Sequence, residues 1–356
     1  MAYTRVNGVR LFYERRGAGE PLLFITGFAI PAAVFDPVLD DYAERFDCVT
    51  YDNRGAGRSS APLWPTSMAE LAADAVGLMD RLDIDSAHIY GLSLGGMIAQ
   101  EMALRFPDRV RGLVLGCTTP GGPRAARPTL RGYAGMGRAM LGGLFEPGRP
   151  WLAGAVFSPE LRREQPARVL ELLEGFGAHM PTPWGASYHF MASVYHDTLS
   201  RLPEVQSPTL VMHGERDAMD PLANSVMMAE AIPDAELALV PGAGHAYPLE
   251  APEVSLDLLL DWLDRRGPIV PGRPRTGATA ALEPLTRPFG LITGSLRTGR
   301  SLPTYVADVL RGRRPGEADA ALWRRAAALA GPPSRVEAPA EAAGSQAVAS
   351  ASATTR

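Results

Sequence analysis

Gly91-Leu92-Ser93-Leu94-Gly95, with Gly96 behind it, sets a serine between glycines two residues away on either side. A turn tight enough to push one side chain clear of a sheet leaves no room for a Cβ at those flanking places. The spacing therefore reads as a sharp strand-to-helix turn presenting the Ser93 hydroxyl. A serine hydroxyl is a weak nucleophile and needs a base held by a third group. Downstream, Val211 to Asp217 closes an apolar run with an acid, and Pro241-Gly242-Ala243-Gly244-His245 closes the next with a histidine. The order is Ser93, Asp217, His245, at spacings of 124 and 28 residues. Such a set could attack a carbonyl carbon covalently. Asp220 is a rival acid three residues past Asp217. Of the other histidines, His88 and His213 bound apolar runs and suit packing. His179, His189 and His196 lack Cys or carboxylate at ligand spacing, so no metal is expected.

These residues need a scaffold that brings them to one edge. Short apolar runs at Leu22–Ile25, Cys48–Tyr51, Ala87–Tyr90, Leu113–Leu115, Thr209–Met212 and Leu237–Val240 end at or just before Gly, Asp or another turn residue. Their length suits strands buried on both faces. Asn7-Gly8 marks a hairpin before them. Helical patterns lie between: a capping box at Ser67-Met68-Ala69-Glu70 opens one, Gly95–Phe106 is another, and Pro252–Trp262 a third with Leu256, Leu259, Leu260 and Leu263 inward. Alternation of this kind predicts an α/β fold with a mostly parallel sheet, whose strand ends carry the site. The rhythm breaks twice. Residues 121–203 are rich in Gly, Pro, Arg and aromatics, with a helical piece at Pro166–Phe176. Residues 267–356 follow the last core helix, with helical stretches expected at Tyr305–Leu310 and Ala318–Leu329, where Trp323 could face inward, and low complexity beyond about 331.

Composition excludes several classes. The 356 residues are 46% hydrophobic and 21% charged, ordinary for a chain with a substantial core. No run approaches the roughly 18 apolar residues of a membrane helix, and Met1-Ala2-Tyr3-Thr4-Arg5-Val6 lacks the apolar stretch of a secretory leader. Two cysteines, Cys48 and Cys117, cannot staple a fold. The expected setting is cytoplasmic. All 35 basic residues are arginine. Residues 267–356 hold 12 Arg against 6 acids, and residues 1–266 hold 23 against 33, so an acidic body carries a basic tail and nucleic acid is not an expected partner. The Asp52–Ser59 turn has the glycines of a phosphate loop but no lysine. It reads as structural, with Arg54 in a buried ion pair.

Over roughly residues 3–266 the sequence resembles the α/β-hydrolase superfamily. The elbow is joined by Asp52-Asn53-Arg54-Gly55-Ala56-Gly57-Arg58-Ser59, similar to the family's D-x-R-G-x-G-x-S turn. His213-Gly214-Glu215-Arg216-Asp217 resembles its acid loop, and Gly244-His245 through Glu250 and Pro252 its terminal segment. The resemblance implies Ser93 as nucleophile, His245 as base and then acid, and Asp217, at the family spacing, as the orienting acid. It implies oxyanion donors at the backbone N–H groups of Phe28 and Leu94, although Thr26-Gly27 stands where relatives have His-Gly and Leu92 where many have His. It also implies a core at 1–120 and 204–266, a cap at 121–203 over an apolar pocket, and an extension at 267–356. The local motifs look closest to the esterase, 3-oxoadipate enol-lactonase and cofactor-free haloperoxidase branch. The expected activity is serine hydrolysis of a small to medium carboxylic ester, lactone or thioester, with no cofactor and no membrane or nucleic-acid partner. Two alternatives stand beside it: a non-hydrolytic enzyme on the same triad, and a silent ligand-binding protein. Oligomeric state is not readable.

Overall fold

Asn7 and Gly8 both take positive φ, 46° and 80°, as a two-residue hairpin turn of the type that matches strand twist requires. They fold β1 (Ala2–Val6) back on β2 (Val9–Arg16). The computed structural model describes residues 1–127, 150–177, 179, 183–274 and 317–329. β3 (Glu20–Ile25), β4 (Phe46–Tyr51), β5 (Ala87–Leu92), β6 (Val110–Gly116), β7 (Thr209–Gly214) and β8 (Ala235–Val240) complete one eight-stranded sheet in the order β1-β2-β4-β3-β5-β6-β7-β8. β2 pairs antiparallel with β1 and β4, and every later pairing is parallel. The fold is the α/β-hydrolase fold, as expected.

The helices run in chain order: α1 (Asp36–Ala43), α2 (Met68–Arg81), α3 (Leu94–Arg105), α4 (Pro150–Val156), α5 (Pro159–Glu164), α6 (Pro166–Gly177), α7 (Pro183–Val194), α8 (Leu222–Ala231), α9 (Pro252–Arg266) and α10 (Glu317–Leu329). Strand alternation divides the core between the two faces. Leu23, Ile25, Val49, Ile89, Leu113, Leu115 and Val211 pack with α2, α3 and α8. Leu22, Phe24, Cys48, Tyr90, Val114, Leu210 and Met212 pack with α1, α9 and the helices between β6 and β7. The capping box forms: Glu70 N–H donates to Ser67 Oγ, and Ser67 N–H to the Glu70 carboxylate at 2.9 Å. Arg54 makes the expected buried pair, with Asp74, at 2.5 and 2.6 Å.

One expectation needs adjusting. The inward face of α9 is Ser255, Leu259 and Trp262, while Leu256, Leu260 and Leu263 are half-buried. Trp262 is fully buried on this face, its ring lying against Gly112, where a Cβ would sit 3.0 Å from it. In the tail the helix expected at Ala318–Leu329 forms as α10, which sets Ala326 into the core beside half-buried Leu322 and Leu329, and Arg325 pairs with Glu230 of α8 at 2.5 Å. The helix expected at Tyr305–Leu310, the side chain of Trp323 and residues 128–149 of the insert lie outside the described residues. No helix among the described residues is long and apolar enough to cross a membrane.

Candidate active site

Ser93 sits between β5 and α3 with φ 56° and ψ −119°, a backbone conformation that L-residues avoid. The turn is this sharp because its glycines have no room for more. A Cβ on Gly91 would lie 2.8 Å from Gly96 Cα, and one on Gly95 would fall on Ile25 O and 2.9 Å from Thr26 O. Neighbouring strands hold the conformation. Ser93 N–H donates to Gly116 O at 2.8 Å, and Thr118 Oγ1 donates to Ser93 O at 2.6 Å. Leu94 is the first residue of α3, where a backbone N–H has no intrahelical acceptor. The loop after β3 runs alongside, since a Cβ on Gly27 would sit 3.4 Å from Ser93 Cβ. Phe28 is half-buried in that loop, and Ala29 follows with φ 54°.

Two strands away, β7 ends at Gly214 and leads into Asp217; β8 ends at Val240 and leads into His245. His245 Nδ1 lies 2.8 Å from Asp217 Oδ2, and the Asp217 side chain is fully buried. Its other oxygen, Oδ1, accepts from Met219 N–H at 2.7 Å and Asp220 N–H at 3.0 Å. The histidine loop is clamped from beneath and from the insert. Tyr247 OH accepts from Tyr90 OH at 2.7 Å, Ala246 N–H donates to Val156 O, and Gly244 N–H donates to Glu250, which also binds Ser158. The structure thus joins the acid to the histidine and sets Ser93 on the same rim. No hydrogen bond links Ser93 to His245 among the described residues. Asp220 contributes its backbone N–H to Asp217, not its carboxylate to His245.

The electrostatics follow from burial and pairing. Burial alone would raise the Asp217 carboxyl, but the His245 charge and hydrogen bond more than offset it and hold it below 3.8. Burial would likewise lower His245, and the same pair holds it above 6.5. Burial pushes Asp220 up to about 7, so one carboxylate beside the imidazole is firmly ionised and the other titrates near neutrality. In the neutral imidazole, Nδ1 facing the Asp217 carboxylate at 2.8 Å is the nitrogen that carries the proton, which leaves the lone pair on Nε2.

Cys117, His213 and Asp217 place potential metal ligands within 4.8 Å of one another. Each donor atom already has a partner at hand. Gly214 N–H donates to Cys117 Sγ, His213 Nδ1 lies 3.0 Å from Ser225 Oγ, and Asp217 holds His245. Burial also drives the Cys117 thiol well above its ordinary pKa, away from the thiolate a metal needs. His88 packs as expected, accepting from Gly112 N–H and facing Glu20. His189 has an unexpected place, because its ring reaches the Phe28–Ala29 loop. Its partners are backbone groups 135 and 160 residues distant, so no local pattern could have announced it.

Comparison with known proteins agrees with the fold. A putative carbamate hydrolase, RutD, of Azorhizobium caulinodans is 30% identical over 263 residues, covering 73% of this chain and 97% of that protein. A pimeloyl-[acyl-carrier protein] methyl ester esterase of Chromobacterium violaceum is 30% identical over 67% of this chain and 92% of its own length. Among solved structures, Est816, described as an N-acyl homoserine lactone degrading enzyme, superposes with a TM-score of 0.61 at 30% identity, over 74% of this chain and all of that one. Residues 20–252 match the alpha/beta hydrolase fold, and the chain belongs to that family.

Proposed function

We propose that this protein is a serine hydrolase that cleaves a small to medium carboxylic ester, lactone or thioester through an acyl-enzyme. The observation that carries the reading is the buried Asp217–His245 pair at 2.8 Å, on the same sheet edge as a serine held in a strained turn. Ser93 Oγ attacks the carbonyl carbon as His245 Nε2 takes its proton. Asp217 holds the imidazole with Nδ1–H inward and stabilises the imidazolium that results. The oxyanion is met by the N–H groups of Phe28 and Leu94, the second reinforced by the helix N-terminus. His245 then protonates the leaving group, and water attacks the acyl-enzyme by the reverse relay. Similar proteins named as a putative carbamate hydrolase, a methyl ester esterase and a lactone-degrading enzyme support an acyl carbonyl as the reacting group.

The helices between β6 and β7 act in this reading as the cap. Val156 and Ser158 brace the histidine loop, and Leu152, Phe157, Leu173 and Phe176 join the core on that face. A fluorophosphonate probe tests the reading: labelling confined to Ser93 is expected. Turnover of a p-nitrophenyl ester by the wild type and not by Ser93→Ala completes the case. A folded protein that neither labels nor turns over would leave it without support.

A further inference from the structure

His189 is fully buried on α7, the last helix before the chain returns to the sheet. Its two ring nitrogens meet backbone groups from two different loops. Nδ1 lies 3.1 Å from Ala29 N, and Nε2 lies 2.8 Å from Arg54 O. An amide N–H only donates and a carbonyl only accepts, so the tautomer is determined: Nδ1 accepts from Ala29, and Nε2–H donates to Arg54. The ring is neutral, and burial, which pushes its pKa down to about 4, keeps it so.

Both loops are prepared for this bridge. The Arg54 carbonyl is fixed because its side chain is locked on Asp74 at both ends of the carboxylate. α7 comes close enough because it meets the loop glycine to glycine: a Cβ on Gly55 would sit 2.8 Å from Gly185 Cα, and one on Gly185 would fall on Gly55 O. Gly185 and His189 are four residues apart, so the helix face that makes this contact also carries the imidazole. On the other side, Ala29 is a non-glycine residue at φ 54°, a conformation that needs outside support. The loop is tied at three points: Asn53 Nδ2 donates to Thr26, His189 takes Ala29 N–H, and Asp52 Oδ1 takes Ala32 N–H at 2.6 Å. Asn53 and Asp52 belong to the body, whereas His189 comes from the insert. The Phe28 ring stands edge-on to the His189 ring at 6.2 Å.

From this geometry we infer that His189 is a positioning residue that aims the Phe28 N–H at the reacting carbonyl, so that the insert sets the oxyanion site. The inference rests on the serine-hydrolase reading. The insert then governs rate as well as access: when α7 is seated, the amide next to the donor is held, and when it lifts, the donor is free to turn away.

The test uses the full chain with His189→Ala, His189→Asn and His189→Gln, p-nitrophenyl butyrate for steady-state kinetics and a fluorophosphonate for Ser93 labelling. Misplacing a reacting group by an ångström costs about 10²-fold, so His189→Ala is expected to lose about that factor in kcat, with little change in KM and equally slowed labelling. Asn places an amide oxygen near the position of Nδ1 and can accept from Ala29. Gln places an amide N–H near Nε2 and can donate to Arg54 only. Asn is therefore expected to restore more of kcat than Gln. If His189→Ala does not fold, the Asn and Gln pair decides. Wild-type kcat in the Ala variant, equal loss in Asn and Gln, or rescue by Gln alone would each overturn the inference while wild-type labelling at Ser93 keeps the hydrolase reading intact. Wild type that does not label overturns both.

Discussion

Replacing Asp217 by Asn changes one oxygen into an NH2 and nearly nothing in shape, yet the surroundings decide which way the amide faces. Oδ1 accepts two backbone N–H groups, from Met219 at 2.7 Å and Asp220 at 3.0 Å. An NH2 there would confront two donors, so the amide oxygen stays with the backbone and the NH2 turns to His245. It then donates to Nδ1, which must give up its own proton. The imidazole is forced into the tautomer with hydrogen on Nε2, and that nitrogen can no longer deprotonate Ser93. The wrong tautomer in such a triad costs about 10⁴ in kcat, or about 5.4 kcal/mol of barrier. Asp220→Asn makes the matching control: it leaves the Asp220 backbone N–H in place, and most of the activity is expected to survive. Steady-state kinetics on a p-nitrophenyl ester, with thermal melts confirming both folds, reads the comparison. Asp217→Asn within about tenfold of wild type, or Asp220→Asn as the more damaging change, would refute the tautomer argument and return Asp220 to the role of acid.

The His245 pKa lies above 6.5 because of Asp217, so kcat/KM is expected to rise with pH along a limb centred above 6.5; a limb below it would contradict the pairing. The raised His245 adds stability present below 6.5 and lost as pH climbs through its folded value, and the depressed Asp217 adds stability present above 3.8 and lost as pH falls through its own. The Tm gap between wild type and His245→Gln should thus be widest between these limits, wider at about pH 5 than at about pH 9. Gly95→Ala drives a Cβ onto Ile25 O and against Thr26 O, both main chain; loss of cooperative melting or of Ser93 labelling is expected, and a normal melt with full labelling would show that the turn has slack. Asp74→Ala removes the carboxylate that holds the buried Arg54 guanidinium at 2.5 and 2.6 Å, leaving Glu70 at 4.0 Å, and should cost about 3–5 kcal/mol in urea unfolding; under about 1 kcal/mol would mean the pair is not truly buried. Ala326→Asp puts a carboxylate into a fully buried position and should release α10 to limited proteolysis, whereas an unchanged digest would place that helix elsewhere in solution.

The outline of the candidate site was legible because its signals are local. The turn at Ser93 writes its sterics into Gly91 and Gly95, and the strands of a sheet covered on both sides are short apolar runs with stops. The capping box of α2 needs only Ser67 and Glu70. The less legible features depend on partners far along the chain. α1 is eight residues long and starts at Asp36-Pro37 straight after a 3₁₀ turn, too short for its pattern to stand out. On α9 five leucines outvote one tryptophan in any hydrophobic pattern, although it is Trp262 whose ring reaches Gly112. His189 gives no sign of itself, because a histidine that pairs with two backbone groups needs no complementary residue type anywhere in the sequence.

The seat of α7 on Gly55 and Gly185 has a consequence for redesign. The joint is made of main chain on both sides, so it carries no information about which side chains the rest of the helix bears. Trp184, Phe190 and Val194, all exposed on the same helix, can be exchanged without disturbing it. A library that holds Gly185 and His189 and varies those positions would change the exposed face of α7 while leaving that joint in place. Any library that samples either glycine would mostly drive a Cβ into the facing main chain and lose this contact.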